Sequence, residues 1–177
     1  MENNDYLKKQ ISIMINLFKA KSYESLIDKG LVLISKYPEQ AILYNITSLA
    51  YNAIDKGDEA KKLLNKILKR EPENFHILNN LGLASIQCGD TEDAENYFNR
   101  ALKLKPDFLE TLVNLGNLKT NQNKNEEAKD LFIKAIKINN QLIPPKLSLA
   151  GYYEQSGNFE EAKKIYYEIL KIDPNYT

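Results

Sequence analysis

The sequence predicts an all-α fold, a solenoid of five helix–turn–helix repeats with about ten helices in all. Three observations predict it. Prolines fall at positions 38, 72 and 106, 34 residues apart, and again at 174, two periods further on, with Asn140 at the missing beat. Alanines 60, 94, 128 and 162 keep the same 34-residue interval independently. Between these beats, apolar residues recur at three- and four-residue spacing, the pattern of helices that bury one face. One such hairpin cannot bury its apolar face alone, and stacking neighbours supplies the core.

The repeats tile one domain, 1–177, as residues 7–40, 41–74, 75–108, 109–142 and 143–176. The first is the most divergent, with Ile13, Met14, Leu17, Leu26, Gly30, Leu33 and Pro38. The second keeps Tyr44, Tyr51, Ala60, Leu64, Ile67 and Pro72. The third reads Leu78, Leu81, Gly82, Ser85, Ala94, Phe98, Ala101 and Pro106, and the fourth Leu112, Leu115, Gly116, Lys119, Ala128, Phe132, Ala135 and Asn140. The fifth keeps Leu149, Ala150, Tyr153, Ala162, Tyr166, Ile169 and Pro174. Small residues at 82, 116 and 150 and at 94, 128 and 162 let the two helices of a hairpin approach closely, while Leu, Tyr and Phe fill the remaining space.

Helices are expected at 5–20, 22–36, 39–53, 57–69, 73–87, 91–103, 107–121, 125–137, 141–155 and 159–171. The turns within hairpins are placed at Lys56-Gly57-Asp58, Gly89-Asp90, Asn123-Lys124-Asn125 and Gly157-Asn158, where Gly or Asn takes the left-handed conformation that ends a helix. Asp90 or Thr91, Asn125 and Asn158 are candidate N-caps, followed by acidic residues that offset the helix dipole. Proline stops the second helix of each repeat. Asn140 lacks that stop, and Pro144-Pro145 follow in the next first turn, so a loose junction between repeats four and five is expected.

These residues resemble the tetratricopeptide repeat, a family with a 34-residue template. The resemblance covers nearly the whole chain. It implies a right-handed solenoid whose first helices line a concave groove, and a scaffold that binds proteins or peptides without chemistry of its own. It also implies a second reading, since such arrays often precede larger glycosyl- or sulfotransferases as a substrate-recruiting region; the chain would then be a fragment cut at residue 177.

Composition is consistent with a binding module. Lys plus Arg and Asp plus Glu are 24 each, and the pI is near 6.6, so the cationic surplus of a nucleic-acid binder is missing. Cys88 and His76 are single residues of their kind. Twelve positions apart on one helix, they stand roughly 18 Å from each other, too far to share a metal or form a nucleophile–base pair. No glycine-rich phosphate loop is present, so no catalytic residue, metal or cofactor is expected. The N-terminus lacks the basic and apolar regions of a signal peptide, and no apolar run reaches membrane-spanning length. A cytoplasmic protein with no membrane partner is expected.

The groove positions follow from the packing positions. If Leu78, Leu81, Gly82 and Ser85 face the core, then His76, Asn79, Asn80, Leu83, Ile86 and Gln87 take the other side. Asn45, Asn79, Asn80, Asn114, Asn117 and Asn121 then line the groove, with Asn45 and Asn79, and Asn80 and Asn114, one period apart. A carboxamide carries both a donor and an acceptor, the complement of a peptide bond, so a ladder of them can hold an extended peptide by its backbone. The competing explanation is composition: Asn is abundant throughout the chain, and some of these amides only solvate a face.

At the N-terminal end Ile11, Ile15 and Phe18 form an apolar stripe that continues into Ile42, Ile46 and Leu49, and partial exposure is expected there. Relatives that clamp a C-terminal carboxylate need a lysine where this chain has Ile11 or Asn45, so that ligand class is not expected. The last helix carries Phe159, Ile165, Tyr166, Tyr167, Ile169, Leu170 and Ile172, more apolar surface than one neighbour buries. A second copy of the chain or a further repeat is expected to cover it.

Overall fold

Each hairpin of the chain is closed by one residue in the left-handed region, and these residues are one repeat apart. They are Lys21 (φ 55°), Asp55 (φ 56°), Gly89 (φ 80°), Asn123 (φ 59°) and Gly157 (φ 75°). Beside each, an amide reaches back five residues to a carbonyl: Ser22 to Leu17 (2.9 Å), Lys56 to Tyr51 (2.9 Å), Asp90 to Ser85 (2.9 Å), Lys124 to Lys119 (2.9 Å) and Asn158 to Tyr153 (2.8 Å). This bond satisfies a carbonyl that the helix end leaves open and turns the chain back on itself. A β-turn joins successive repeats, its amide–carbonyl bonds running from Gln40 to Tyr37, Asn74 to Glu71, Phe108 to Lys105 and Leu142 to Asn139. The same turn recurs from Tyr176 to Asp173.

The computed structural model describes residues 2–176, with side chains from residue 5 onward. Among these residues there are ten helices and no strand: α1 (Glu2–Lys19), α2 (Tyr23–Lys36), α3 (Ala41–Ala53), α4 (Gly57–Leu68), α5 (Phe75–Gln87), α6 (Thr91–Leu104), α7 (Leu109–Asn121), α8 (Asn125–Ile138), α9 (Ile143–Gln155) and α10 (Phe159–Ile172). They divide into two compact lobes, one through Ala101 and one from Leu102. In the first lobe α2 packs on α1 and α3, and α4 on α3 and α5. In the second α8 packs on α7 and α9, and α10 on α9.

Four expectations need correction. The first helices of repeats two to five begin at 41, 75, 109 and 143, two residues later than expected, because the linking β-turn occupies four residues. Proline takes the second position of that turn, where its fixed φ suits the bend, instead of simply stopping a helix. The left-handed residue of repeat two is Asp55, while Gly57 is the first residue of α4. A Cβ on Gly57 would stand 2.9 Å from the Ala84 carbonyl, so this glycine serves close packing. Of the expected caps, Asn158 occupies the N-cap position but makes no side-chain cap bond, and Asn125 and Thr91 already lie inside their helices. Asn74 caps α5 instead, accepting from the amides of His76 and Ile77. The junction before repeat five keeps its turn, with a longer bond (3.4 Å), and Pro144-Pro145 sit in the first turn of α9.

In the third and fourth repeats the contact inside the hairpin is a matched pair of sizes, and the sequence places similar pairs in the others. At the small position of the first helix and the large position of the second stand Ser48 and Leu64, Gly82 and Phe98, Gly116 and Phe132, and Ala150 and Tyr166. A Cβ on Gly82 would lie 2.4 Å from the Phe98 ring, and one on Gly116 2.5 Å from Phe132. The first repeat reverses the sizes, with Met14 in the small position and Gly30 in the large one. Thr47 of α3 takes the space at Gly30, its Oγ1 2.1 Å from where a Cβ would be. In repeat one the space at the glycine is thus filled from the first helix of the next repeat.

Candidate functional site

In the first lobe the amides of α3 and α5 turn toward one another. Asn80 Nδ2 donates to Asn45 Oδ1 (3.2 Å), and Asn79 Nδ2 donates to Asn80 Oδ1 (3.3 Å). The three are only 9 %, 5 % and 5 % exposed for Asn45, Asn79 and Asn80. Their expected exposure is therefore corrected. Buried amides must find partners, and here part of that demand is met by the neighbouring first helix. Asn52, at the end of α3, has both amide atoms buried without a protein partner, while its carbonyl accepts from the Gln87 side chain. His76 and Gln87 are exposed, and Leu83 and Ile86 half-buried, on α5.

The N-terminal stripe is partly open, as expected. Ile15 and Ile42 are exposed, Ile11, Phe18 and Leu49 half-buried, and Ile46 buried. Phe18 meets Tyr23 edge-on at 5.5 Å between ring centres, which fixes the end of the stripe against α2.

In the second lobe α7, α8 and α9 enclose a cleft of about 290 Å³. Asn117 and Asn121 line it, both exposed, with Thr120 and Asn125 beside them and Ser148 and Gln155 opposite. Ala128, Phe132 and Gly151 form an apolar base. Gly151 has nothing within 4 Å of its Cβ position, so its missing side chain keeps the cleft open. Asn114 lies half-buried on α7 and engaged with a neighbouring group. Position by position along the repeats, Asn117 corresponds to Leu83, and Asn121 to Gln87. The chemistry of this surface thus changes from one repeat to the next.

A polar bridge stands at the rim of the cleft. The Tyr152 hydroxyl donates to Glu126, Lys129 pairs with the same carboxylate, and the Lys129 ammonium lies 5.2 Å from the Tyr152 ring centre. Hydrogen bonds from Lys129 and then Tyr152 hold the Glu126 carboxyl below its ordinary range. The sequence reading missed this trio, whose members come from α8 and α9. Elsewhere the Cys88 thiol is pushed up, first by burial and then by its hydrogen bond to Asp58 (3.4 Å). Among the described residues no helix is long and apolar enough to cross a membrane.

Antiparallel helix pairs, repeated at 34 residues with matched small and large contacts, define a helical-hairpin repeat protein. Sequence profiles described as tetratricopeptide repeat match residues 77–108, 108–145 and 146–176, a continuous run over more than half of the chain. The chain belongs to the tetratricopeptide-repeat family. No curated protein matches its sequence. Among solved structures it is similar to PilF of Pseudomonas aeruginosa, with TM-score 0.84 and 17 % identity over 97 % of this chain and 78 % of that one. It is also similar to TTC0263 of Thermus thermophilus, at 0.83 and 14 % over 95 % and 92 %. A third is YrrB, described as having an unusual peptide-binding site, at 0.65 and 19 % over 94 % and 86 %. At these identities the likeness speaks to the fold.

Proposed function

We propose that the protein is an interaction scaffold that takes an extended segment of a partner protein into the cleft between α7, α8 and α9. The observation that carries this reading is the lining of that cleft: exposed carboxamides and hydroxyls around an apolar base of Ala128, Phe132 and Gly151. Asn117, Asn121 and Gln155 each offer a donor and an acceptor, which suits the backbone of an extended chain. The apolar base suits one or two side chains of that chain, in keeping with the cleft's volume of about 290 Å³. Each hydrogen bond from a side-chain amide is worth roughly 0.5–1.5 kcal/mol net, so a few of them support reversible binding.

The buried amides Asn45, Asn79 and Asn80 take a different part in this reading. Already bonded to one another, they fix the register of α3 against α5, and the partner meets the exposed amides of the second lobe. The peptide-binding site described for YrrB is consistent with such a role for this fold. Selection of a random peptide library on the intact protein tests the reading. Enriched peptides should bind wild type and lose affinity on Asn117→Ala/Asn121→Ala, with the helical circular dichroism unchanged. Peptides that bind both proteins equally would place recognition elsewhere.

A further inference from the structure

The fifth repeat departs from repeats two to four at two adjacent positions, and both departures open the cleft beside α9. Gly151 stands where α3 and α5 carry Leu49 and Leu83 and α7 carries Asn117. Nothing packs within 4 Å of its Cβ position. Tyr152 stands where repeats two to four carry Ala50, Ala84 and Leu118, all buried. A ring in a place that elsewhere takes a smaller side chain keeps α9 from settling on the preceding hairpin, and Gly151 puts nothing into the gap that results. In keeping with this, α7 and α9 touch less than α3 and α5 do. The ring is also held in place: its hydroxyl donates to Glu126, the Lys129 ammonium lies 5.2 Å from its centre, and Tyr153 meets it edge-on at 5.4 Å. The notch at Gly151 is therefore built into the lobe and exists before any partner arrives.

We infer, on the reading of this cleft as the binding site, that the notch receives one bulky uncharged side chain of the partner, an aromatic one by preference, and so sets which segments the protein selects. Size, charge and shape choose this occupant. The cleft's volume of about 290 Å³ falls at the foot of the roughly 300–1,000 Å³ range of pockets that enclose a whole small ligand, so it seats a single group and not a free metabolite. Among the described residues that line it, Lys129 alone is charged, and it is already paired with Glu126. An acidic side chain would have to displace that pair and a basic one would meet an ammonium, so charge selects against both. The surfaces at the notch are the Tyr152 ring, the floor of Ala128 and Phe132, and the bare backbone of Gly151. An aromatic side chain gains most from packing on a ring already fixed in place. Around the notch stand Asn117 and Asn121 on α7 and Ser148 and Gln155 on α9, which suit the peptide groups on either side of the anchor.

Nuclear magnetic resonance on the intact, isotope-labelled protein tests the anchor without a partner in hand. The probe is N-acetyl-phenylalanine amide, which carries its side chain between two peptide groups, with the leucine, alanine, glutamate and lysine analogues for comparison. The phenylalanine compound should shift the backbone signals of Gly151, Tyr152 and Asn121 with a dissociation constant on the order of 1 mM. The leucine analogue should bind a few-fold more weakly, and the other three should leave those signals in place at the same concentrations. Gly151→Leu, which returns the residue of repeats two and three to an open position, should abolish the response while the helical circular dichroism is kept. Gly151→Ala should weaken it several-fold. Signals that do not move, that move equally for the alanine analogue, or that still move in Gly151→Leu overturn the inference. The library selection separates the anchor from the site beneath it. Peptides that depend on Asn117 and Asn121, yet share no aromatic residue and tolerate Gly151→Leu, refute the anchor alone. Peptides indifferent to the two asparagines refute the site and the anchor with it.

Discussion

The Gly82–Phe98 contact gives a prediction whose sign reverses between two helical glycines. Adding a methyl to Gly82 places a carbon 2.4 Å from the Phe98 ring, against the roughly 3.5–4.0 Å of a relaxed carbon contact. The ring is fully buried, so it must shift by about 1 Å into atoms already in contact. Overpacking of this kind costs about 1–3 kcal/mol, from which a helix-propensity gain of about 0.5–1 kcal/mol is subtracted. At 2.4 Å the clash falls in the upper half of the overpacking range, about 2–3 kcal/mol, so Gly82→Ala should lose about 1–2.5 kcal/mol, or several degrees in Tm at about 2–4 °C per kcal/mol for a chain of this size. Gly151→Ala, with nothing within 4 Å, should instead gain about 0.5–1 kcal/mol. Urea unfolding followed by circular dichroism measures both from the midpoint at constant slope. Phe98→Leu restores room in the Gly82→Ala background, as Leu64 pairs with Ser48 one repeat earlier, so the double variant should be more stable than additivity predicts. The reasoning is refuted if Gly82→Ala is as stable as wild type, or if the two substitutions add without coupling.

Three further sites give outcomes that follow from local geometry. Lys21 holds the left-handed position that Gly89 and Gly157 occupy in later repeats, and Lys21→Gly should raise the unfolding midpoint by the equivalent of about 0.5–1 kcal/mol. Lys146 is buried, pairs with Glu168, and occupies the position of Leu78 and Leu112. Glu168→Ala should destabilise by about 1–2 kcal/mol in the same unfolding assay, because it strips a buried ammonium of a partner that is itself half-exposed. Lys146→Leu should be neutral or stabilising, which would separate the cost of an uncompensated charge from any need for the pair. Burial, and secondarily Asp58, hold the Cys88 pKa up, so less thiolate is present at a given pH than in the unfolded chain. Iodoacetamide should alkylate the native thiol more slowly than the urea-unfolded one near pH 8, and Asp58→Asn should narrow the gap.

The period, the hairpin as the unit and most of the core can be read from the order of residues along the chain. Ala60, Ala94, Ala128 and Ala162 recur every 34 residues because each faces the same close contact, and all four are buried. Leu78, Leu81 and Leu112 are buried for the same reason: a helix with one apolar stripe has only one way to turn it. Turn location was less legible. The left-handed site falls on Lys21 and Asp55, residues with no glycine to advertise it, since the repeat imposes the hairpin and the backbone absorbs the local strain.

The state of the polar residues, by contrast, depends on how the hairpins pack. Asn80 and Asn117 look alike in sequence, as amides near the middle of first helices. One is buried and bonded to Asn45, while the other is exposed on a cleft. Helical spacing assigns a residue to a face, but neighbouring helices from other repeats decide whether that face is covered. The Glu126, Lys129 and Tyr152 bridge was hidden for the same reason, because its members meet across α8 and α9. Periodicity records what each hairpin buries within itself. The exposed hydrogen-bonding groups of the cleft are set by the stacking of one hairpin on the next.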